Sequence, residues 1–311
     1  MQFNSFDAPE VDDCWRGLQD DEKYRGSRIN LKRPLQKDQI FLTDVQRVVR
    51  KGGRCVWWLG QSGFLVVQQG VGLVFDPYLS DSLTHKYART DKPHTRITER
   101  VIDPTALAKS GFINLITSSH NHTDHLDAET LTPLLGSSPC ARLVIPAANR
   151  QFVLKRLGSD VAGRLIELDD GAHANFDNFE IHGVTSAHPT VERDSSGRCR
   201  FLGYVVHWNG LTFYHSGDTL LHETLVPSLK HFKIDIAFLP INGDRPERRV
   251  AGNLNGLQAA QLGKAINAQW VVPCHYDLFE FNTATPDEFI NECHNLGQPY
   301  RVMQNGEGWE L

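Results

Sequence analysis

The alternation of apolar and polar positions changes character near residue 55. Residues 1–50 are polar and irregular, and within them only 44–50 carry the spacing of a short amphipathic helix. This predicts an N-terminal arm over 1–50, packed on a domain formed by 51–311. Beyond it, the runs 56–60 (VWWLG) and 63–67 (GFLVV) are short, apolar and separated by turn residues, which predicts a hairpin. Residues 73–75 form a strand that exits at Asp76-Pro77. Apolar runs at 113–117, 143–146, 164–168, 179–184, 204–208, 211–215, 234–239 and 270–273 predict further strands. Helices are expected over 149–157, 220–229, 255–266 and 286–295. Strands crowd the first half and alternate with helices in the second. The fold class predicted is therefore α/β (α+β), with helices covering a pair of sheets. No repeat of fixed period and no linker rich in Pro, Gly or Ser interrupts the span, so one catalytic domain is the simplest reading.

Composition narrows the function classes. A net charge of -5 over 311 residues argues against a basic face that grips nucleic acid. No apolar run approaches the roughly 20 residues needed to span a bilayer. The first residues lack the basic flank and apolar stretch of a secretory signal. The six cysteines (14, 55, 140, 199, 274, 293) are scattered without a Cys-x-x-Cys pair, as expected of reduced thiols. The expectation is a cytoplasmic protein with a small-molecule substrate, no nucleic-acid partner and no membrane span, in a sequence compatible with a homo-oligomer.

Chemistry concentrates in one run. His120, His122, Asp124 and His125 lie within six residues, directly after the strand at 113–117. Imidazole nitrogen and carboxylate oxygen are good ligands for Zn²⁺, Mn²⁺ or Fe²⁺. Alternate residues of an extended segment point the same way, so His120 and His122 can bind one ion. Asp124 and His125, past the turn, can serve a second. Four such side chains packed together are costly to desolvate without a metal. Further ligands must come from later in the chain. His188, Asp218 and His275 each follow a predicted strand, so all three could converge with the run on one rim of the sheets.

Taken in order, these loops resemble the metallo-β-lactamase superfamily: a His-x-His-x-Asp-His run, a third His, an Asp and a last His. The resemblance covers roughly residues 54–290 and implies a four-layer αββα sandwich with two divalent metal ions, Zn or Mn. It implies His120, His122 and His188 on one ion, Asp124, His125 and His275 on the other, and Asp218 bridging them. Asp76 matches an Asp that supports the metal ligands by hydrogen bonding. Within the superfamily the chain is most similar to the L-ascorbate 6-phosphate lactonase group, through the stretches 57–63 (WWLGQSG), 76–82 (DPYLSDS), 214–218 (YHSGD) and the block from Ile234 to Asp277. The N-acyl-phosphatidylethanolamine phospholipase D group is a more distant relative.

The expected activity is hydrolysis by a metal-bound hydroxide, because coordination lowers the pKa of water by many units. No serine nucleophile is needed. The stretch 60–64 has Phe64 where a Gly-x-Ser-x-Gly elbow requires glycine. Asp124 could orient the water and shuttle its proton, and His215 is a candidate oxyanion or substrate contact. Arg245, Arg248 and Arg249 follow the strand at 234–239 and, with Arg96, are candidates for binding an anionic substrate group. The substrate expected is a small phosphorylated or acidic lactone or ester. The alternative is a phosphodiester.

Overall fold

The strands of the first sheet are apolar on both faces because each face is covered by a different layer. A computed structural model describes residues 31–311; the part of the expected arm at 1–30 lies outside the described residues. The elements up to the chain midpoint are α1 (Asp38–Lys51), β1 (Arg54–Gly60), β2 (Gly63–Gln68), β3 (Val71–Phe75), α2 (Ser82–Tyr87), α3 (Pro104–Ala108), β4 (Ile113–Thr117), α4 (Ala128–Ser137), β5 (Arg142–Pro146), α5 (Arg150–Leu157) and β6 (Leu165–Leu168). They continue as β7 (His173–Phe176), β8 (Phe179–Thr185), β9 (Leu202–Trp208), β10 (Leu211–His215), α6 (Leu225–Leu229), β11 (Ile236–Pro240), α7 (Gly256–Ala265), β12 (Trp270–Cys274), α8 (Asp287–Leu296) and β13 (Gly308–Glu310).

Two sheets result, one in the order β13-β1-β2-β3-β4-β5-β6 and one in the order β12-β11-β10-β9-β8-β7. Side chains alternate across a strand, so Val56 and Trp58 of β1 and Phe64 and Val66 of β2 face the second sheet. Cys55, Trp57, Leu59, Leu65 and Val67 face the other way and pack with Phe41, Val45 and Val48 of α1, Leu131 and Leu134 of α4 and Val153 of α5. The second sheet is covered in turn by Ala259 and Leu262 of α7 and Phe289 and Cys293 of α8. Helix, sheet, sheet and helix make the four layers. Burial on both faces explains why the strands read as continuous apolar runs rather than alternating ones.

Strand direction decides where the loops gather. β3, β4, β5 and β6 run parallel. β8 and β10 are each antiparallel to β9 and hence parallel to each other, and β11 and β12 run parallel to β10. The loops that leave β8, β10, β11 and β12 therefore share one rim of the second sheet, and those leaving β3 and β4 share one rim of the first.

Several elements depart from the sequence expectation. The helix expected at 44–50 begins earlier, at Asp38. The helix expected over 220–229 is confined to Leu225–Leu229. α4 is not among the expected helices, because Pro133 sits inside it; Asp127 caps it, accepting from the Glu129 N–H, so the helix starts in spite of that proline. β7 and β13 are edge strands of four and three residues, too short for an alternation such as that of His173–Phe176 to mark a strand. Among the described residues no helix is long and apolar enough to cross a membrane, and the five cysteines there are all free.

The two sheets meet through aromatic rings. Phe238 of β11 stacks on Phe64 of β2 at 4.1 Å between centroids and lies 5.7 Å from Phe75 of β3. Phe238→Ala is expected to destabilise the fold by about 3–5 kcal/mol, the usual cost of truncating a buried Phe. Urea unfolding would measure it, and a loss under about 1 kcal/mol would show that the sheets do not depend on this contact.

Candidate metal centre

Six loops meet where the rims of the two sheets face each other. The loop after β4 delivers His120, His122, Asp124 and His125, and the exits of β8, β10 and β12 deliver His188, Asp218 and His275. The exit of β3 brings Asp76, and the β1–β2 turn brings Gln61. Backbone strain accompanies this convergence. Gln61 (φ 49°), Asp76 (φ 34°) and His275 (φ 60°) all adopt left-handed conformations that side chains with a Cβ avoid. Gly217 (φ 59°) is glycine for space as well: a Cβ there would come within 2.5 Å of Ser119 Cβ.

Ligand-type atoms gather in three overlapping groups, in each of which they lie within 4.8 Å of one another: His120, His122 and His188; His120, His125 and Asp218; Asp124, His125 and His275. Asp218 spans them. Its Oδ1 is 3.2 Å from His125 Nε2, and its Oδ2 is 3.1 Å from His275 Nε2 and 3.6 Å from His188 Nε2.

The orientation of three of the five rings is fixed from behind. His125 Nδ1 donates to Asp76 Oδ2 at 2.7 Å, His188 Nδ1 donates to the Gly252 carbonyl at 2.9 Å, and His120 Nδ1 lies 2.9 Å from Ser119 Oγ. In each case Nε2 is left facing the cluster. Asp76 is itself held by the Thr117 hydroxyl at 2.7 Å and the Ser119 N–H at 3.1 Å. The loop is also clamped: the Arg156 guanidinium donates to the carbonyls of Asn121 and Leu126, at 2.9 and 3.0 Å. Phe201 closes the floor, with its ring centroid 5.1 Å from His120, 5.9 Å from His122 and 5.6 Å from His188.

Burial and mutual charge set the protonation states. Burial alone would raise Asp124 and Asp218, but the neighbouring His125 and His275 outweigh it and hold both well below the usual carboxylate range. Burial similarly pushes Asp76 up, yet His215, His125 and Ser119 bring it down to about 2. Desolvation holds His120 and His188 below their ordinary value, and so in the neutral form a metal requires. For His125 and His275 burial pulls down, but the Asp218 and Asp124 carboxylates dominate, and His275 rises to about 9. That carboxylate field favours positive charge at this point. His120 Nε2, His125 Nε2 and Asp218 Oδ1 are buried without a hydrogen-bond partner, so donors of the right chemistry face one small volume unpaired. The residues present fit a divalent metal.

The other candidates are placed differently. His215 is buried and stacks on Phe75 at 5.2 Å. Its Nε2 bonds to the Ser62 carbonyl at 2.8 Å and its Nδ1 accepts from the Gly217 N–H at 3.2 Å. Both nitrogens serve the backbone, which corrects the expectation of an oxyanion or substrate contact. Arg96 is buried too and donates to Asp81 and to the carbonyls of Ser80 and Thr98. Arg248 donates to the Asn242 and Thr283 carbonyls and to Asn282. These two arginines brace loops rather than offering free donors to a substrate. Arg249 pairs with Asp91 at the surface. Arg245 is exposed, and no hydrogen bond or ion pair engages its guanidinium among the described residues.

Sequence reasoning passes over Gln61, Ser119, Arg156 and Phe201. A signal exists only for Gln61, a polar residue between two glycines in an otherwise apolar hairpin. Ser119 acts through its hydroxyl, Arg156 on backbone carbonyls and Phe201 through its ring, relations that leave no trace in residue spacing.

Comparison with known proteins agrees with this geometry. The sequence profile described as "Beta-lactamase superfamily domain" matches residues 55–275. A curated metal-dependent hydrolase of Rubrobacter xylanophilus is 26% identical over 267 residues, covering 84% of this chain and 97% of that protein. A protein of Escherichia coli named "Probable L-ascorbate-6-phosphate lactonase" is 24% identical over 274 residues, covering 78% of this chain and 75% of its own. Among solved structures, a metallo hydrolase from Ignicoccus hospitalis superposes with a TM-score of 0.59 at 22% identity, over 83% of this chain and 98% of that one.

Asp76 touches the cluster from outside, through His125 Nδ1 and through the Ser119 N–H. Asp76→Asn is expected to weaken divalent-metal binding by about 10- to 100-fold. Chelator competition would measure it, and unchanged affinity would reduce Asp76 to a brace for the loop alone.

Proposed function

Because the chain belongs to the β-lactamase superfamily, we propose that it is a metal-dependent hydrolase whose reaction takes place at the cluster built on His120–His125. The observation that carries this reading is the pair of donor groups linked by Asp218. His120, His122 and His188 would hold one divalent ion, Zn²⁺ or Mn²⁺. Asp124, His125 and His275 would hold a second, with Asp218 reaching both. Bound there, such ions bring the pKa of water toward neutrality and polarise a carbonyl or phosphoryl oxygen.

The chain's own residues do the rest. Asp76 and the Gly252 carbonyl fix the tautomers of His125 and His188, and Ser119 holds the His120 ring in place. His122 is exposed and the Asp124 side chain is 15% accessible, whereas His120, His125, His188 and His275 are buried. Substrate therefore approaches over His122 and Asp124. Asp124, ionised and open to solvent, is placed to take the proton from the attacking water at its carboxylate. Phe201 excludes water from the opposite side.

The substrate class proposed is a small phosphorylated or acidic lactone or ester. The support is resemblance to the lactonase group together with the free guanidinium of Arg245, on the loop that leaves β11 beside the exit of β12. Of the arginines considered, it is the one whose donors are not already engaged.

Purified chain is expected to bind two divalent ions, and Asp218→Ala to lose at least one of them along with turnover. Elemental analysis and a hydrolysis assay check both; a chain that binds no Zn²⁺ or Mn²⁺ sinks the reading. Charge reversal at Arg245 should lower kcat/KM for a phosphorylated lactone by about 10- to 150-fold relative to its neutral analogue. Arg248→Glu should instead reduce both alike by loosening the loop. Equal losses at Arg245 would remove it from substrate recognition.

A further inference from the structure

A third apolar cluster stands beside the metal centre, apart from the two cores. Tyr78, Leu83, Leu278 and Phe279 form it, with Tyr87 packed against them. Tyr78 follows Asp76 out of β3 and Leu278 follows His275 out of β12, so the cluster grows from two of the loops that build the centre. His94 sits among its rings. Tyr87 stacks on the imidazole at 4.3 Å, and Phe281 and Phe279 meet it edge-on at 4.7 and 5.4 Å between centroids. The Glu280 N–H donates to the Thr95 carbonyl and the Ile97 N–H to the Leu278 carbonyl, at 2.9 and 2.8 Å, so this segment is fastened to the loop after His275.

Packing alone does not explain an imidazole at this position. Nδ1 is buried and makes no hydrogen bond of ordinary geometry, a cost that a phenyl ring of similar shape would avoid. Nε2, at the opposite edge, is not buried and engages no partner among the described residues. Burial lowers the pKa of the ring, opposed by the Asp124 carboxylate and the Lys92 backbone, so His94 is neutral at neutral pH and lies within the field of Asp124. Asp124 is partly open to solvent, on the side from which substrate approaches. On the same segment Asp91 pairs with Arg249, and the Lys92 ammonium donates to the Glu247 carbonyl, which ties the segment of His94 to the loop of Arg245.

We propose that His94 is a further specificity-determining residue of this centre: its Nε2 hydrogen-bonds a hydroxyl of the substrate on the Asp124 side of the approach, in a pose fixed by Tyr87, Phe279 and Phe281. A neutral imidazole carries one donor and one acceptor nitrogen, and a hydroxyl can answer either, whichever nitrogen holds the proton. A charged group would find its partner at Arg245 instead. The substrate class narrows accordingly, from a lactone or ester in general to a hydroxylated one. This rests on the hydrolase reading and on its lactone or ester class.

The full chain loaded with Zn²⁺ is assayed on glucono-δ-lactone and on δ-valerolactone, which has the same ring without hydroxyls. Thermal melts and metal content verify the fold and the centre of each variant. His94→Phe, which keeps an aromatic ring and removes the polar atom, is expected to raise KM for glucono-δ-lactone about 5-fold, the yield of one neutral hydrogen bond, and to leave δ-valerolactone unchanged. His94→Gln, which restores a polar atom, is expected to recover most of that loss. If His94 only fills the aromatic cluster, His94→Phe matches or exceeds the parent on both lactones and His94→Gln is the worse variant; that result overturns the proposal. Equal losses on the two lactones in His94→Phe overturn it as well. A parent that turns over neither lactone overturns it together with the lactone reading, so the two failures are distinguishable.

Discussion

Three carboxylates at the meeting of two sheets, Asp76 and Asp218 buried and Asp124 partly so, are the constraint around which the rest of this molecule is arranged. Asp76, Asp124 and Asp218 remain ionised in a place where burial alone would neutralise them. An unpaired charge there would cost several kcal/mol, so each needs positive or donor partners in quantity. The carboxylates and their partners together come from six separate loops. The parallel arrangement of β8, β10 and β12, and of β3 and β4, is what lets short loops deliver them to one rim. The left-handed residues at 76 and 275 accompany the same convergence, whereas that at 61 belongs to the two-residue turn between β1 and β2.

The fold was legible because burial on both faces leaves a coarse signature. Runs such as VWWLG and GFLVV have no polar position at which a strand could face water, and the two core clusters account for every one of their apolar side chains. What escaped detection obeys other physics. α4 is capped by Asp127 in spite of an internal proline, and β7 and β13 pair as sheet edges too short to show a period, although Ala174, Phe176 and Trp309 still pack on the core. The helix expected over 220–229 keeps only its last turns, because residues just after Asp218 extend the rim and follow no helical period.

The candidate site was legible to the depth of its donor atoms and no further. Histidines and aspartates at strand ends are visible in a sequence because few other demands place them there, and the structure gathers all seven. The atoms behind them are not visible. Ser119 holds two rings by one hydroxyl, and Arg156 grips two carbonyls from a different helix; neither relation has a fixed spacing. Charge on a loop proved the weakest guide. Arg96 and Arg248 carry the residue type suited to an anion, but their donors are taken by backbone carbonyls a few ångströms away.

The carbonyl of Gly252 does more than orient a ring. It lies on the same stretch of chain, from Ile241 to Asn255, that carries Arg245 outward and Arg248 inward, and Gly252 has no room for a side chain because Asp244 fills that space. The segment is therefore a mechanical link between the exposed loop of Arg245 and the His188 imidazole. A lineage that remodels it must also preserve the pose of one carbonyl, or the His188 imidazole loses the bond that orients it. Diversification at this loop should favour exchanges at its outward tip, with the return limb at Gly252 held constant.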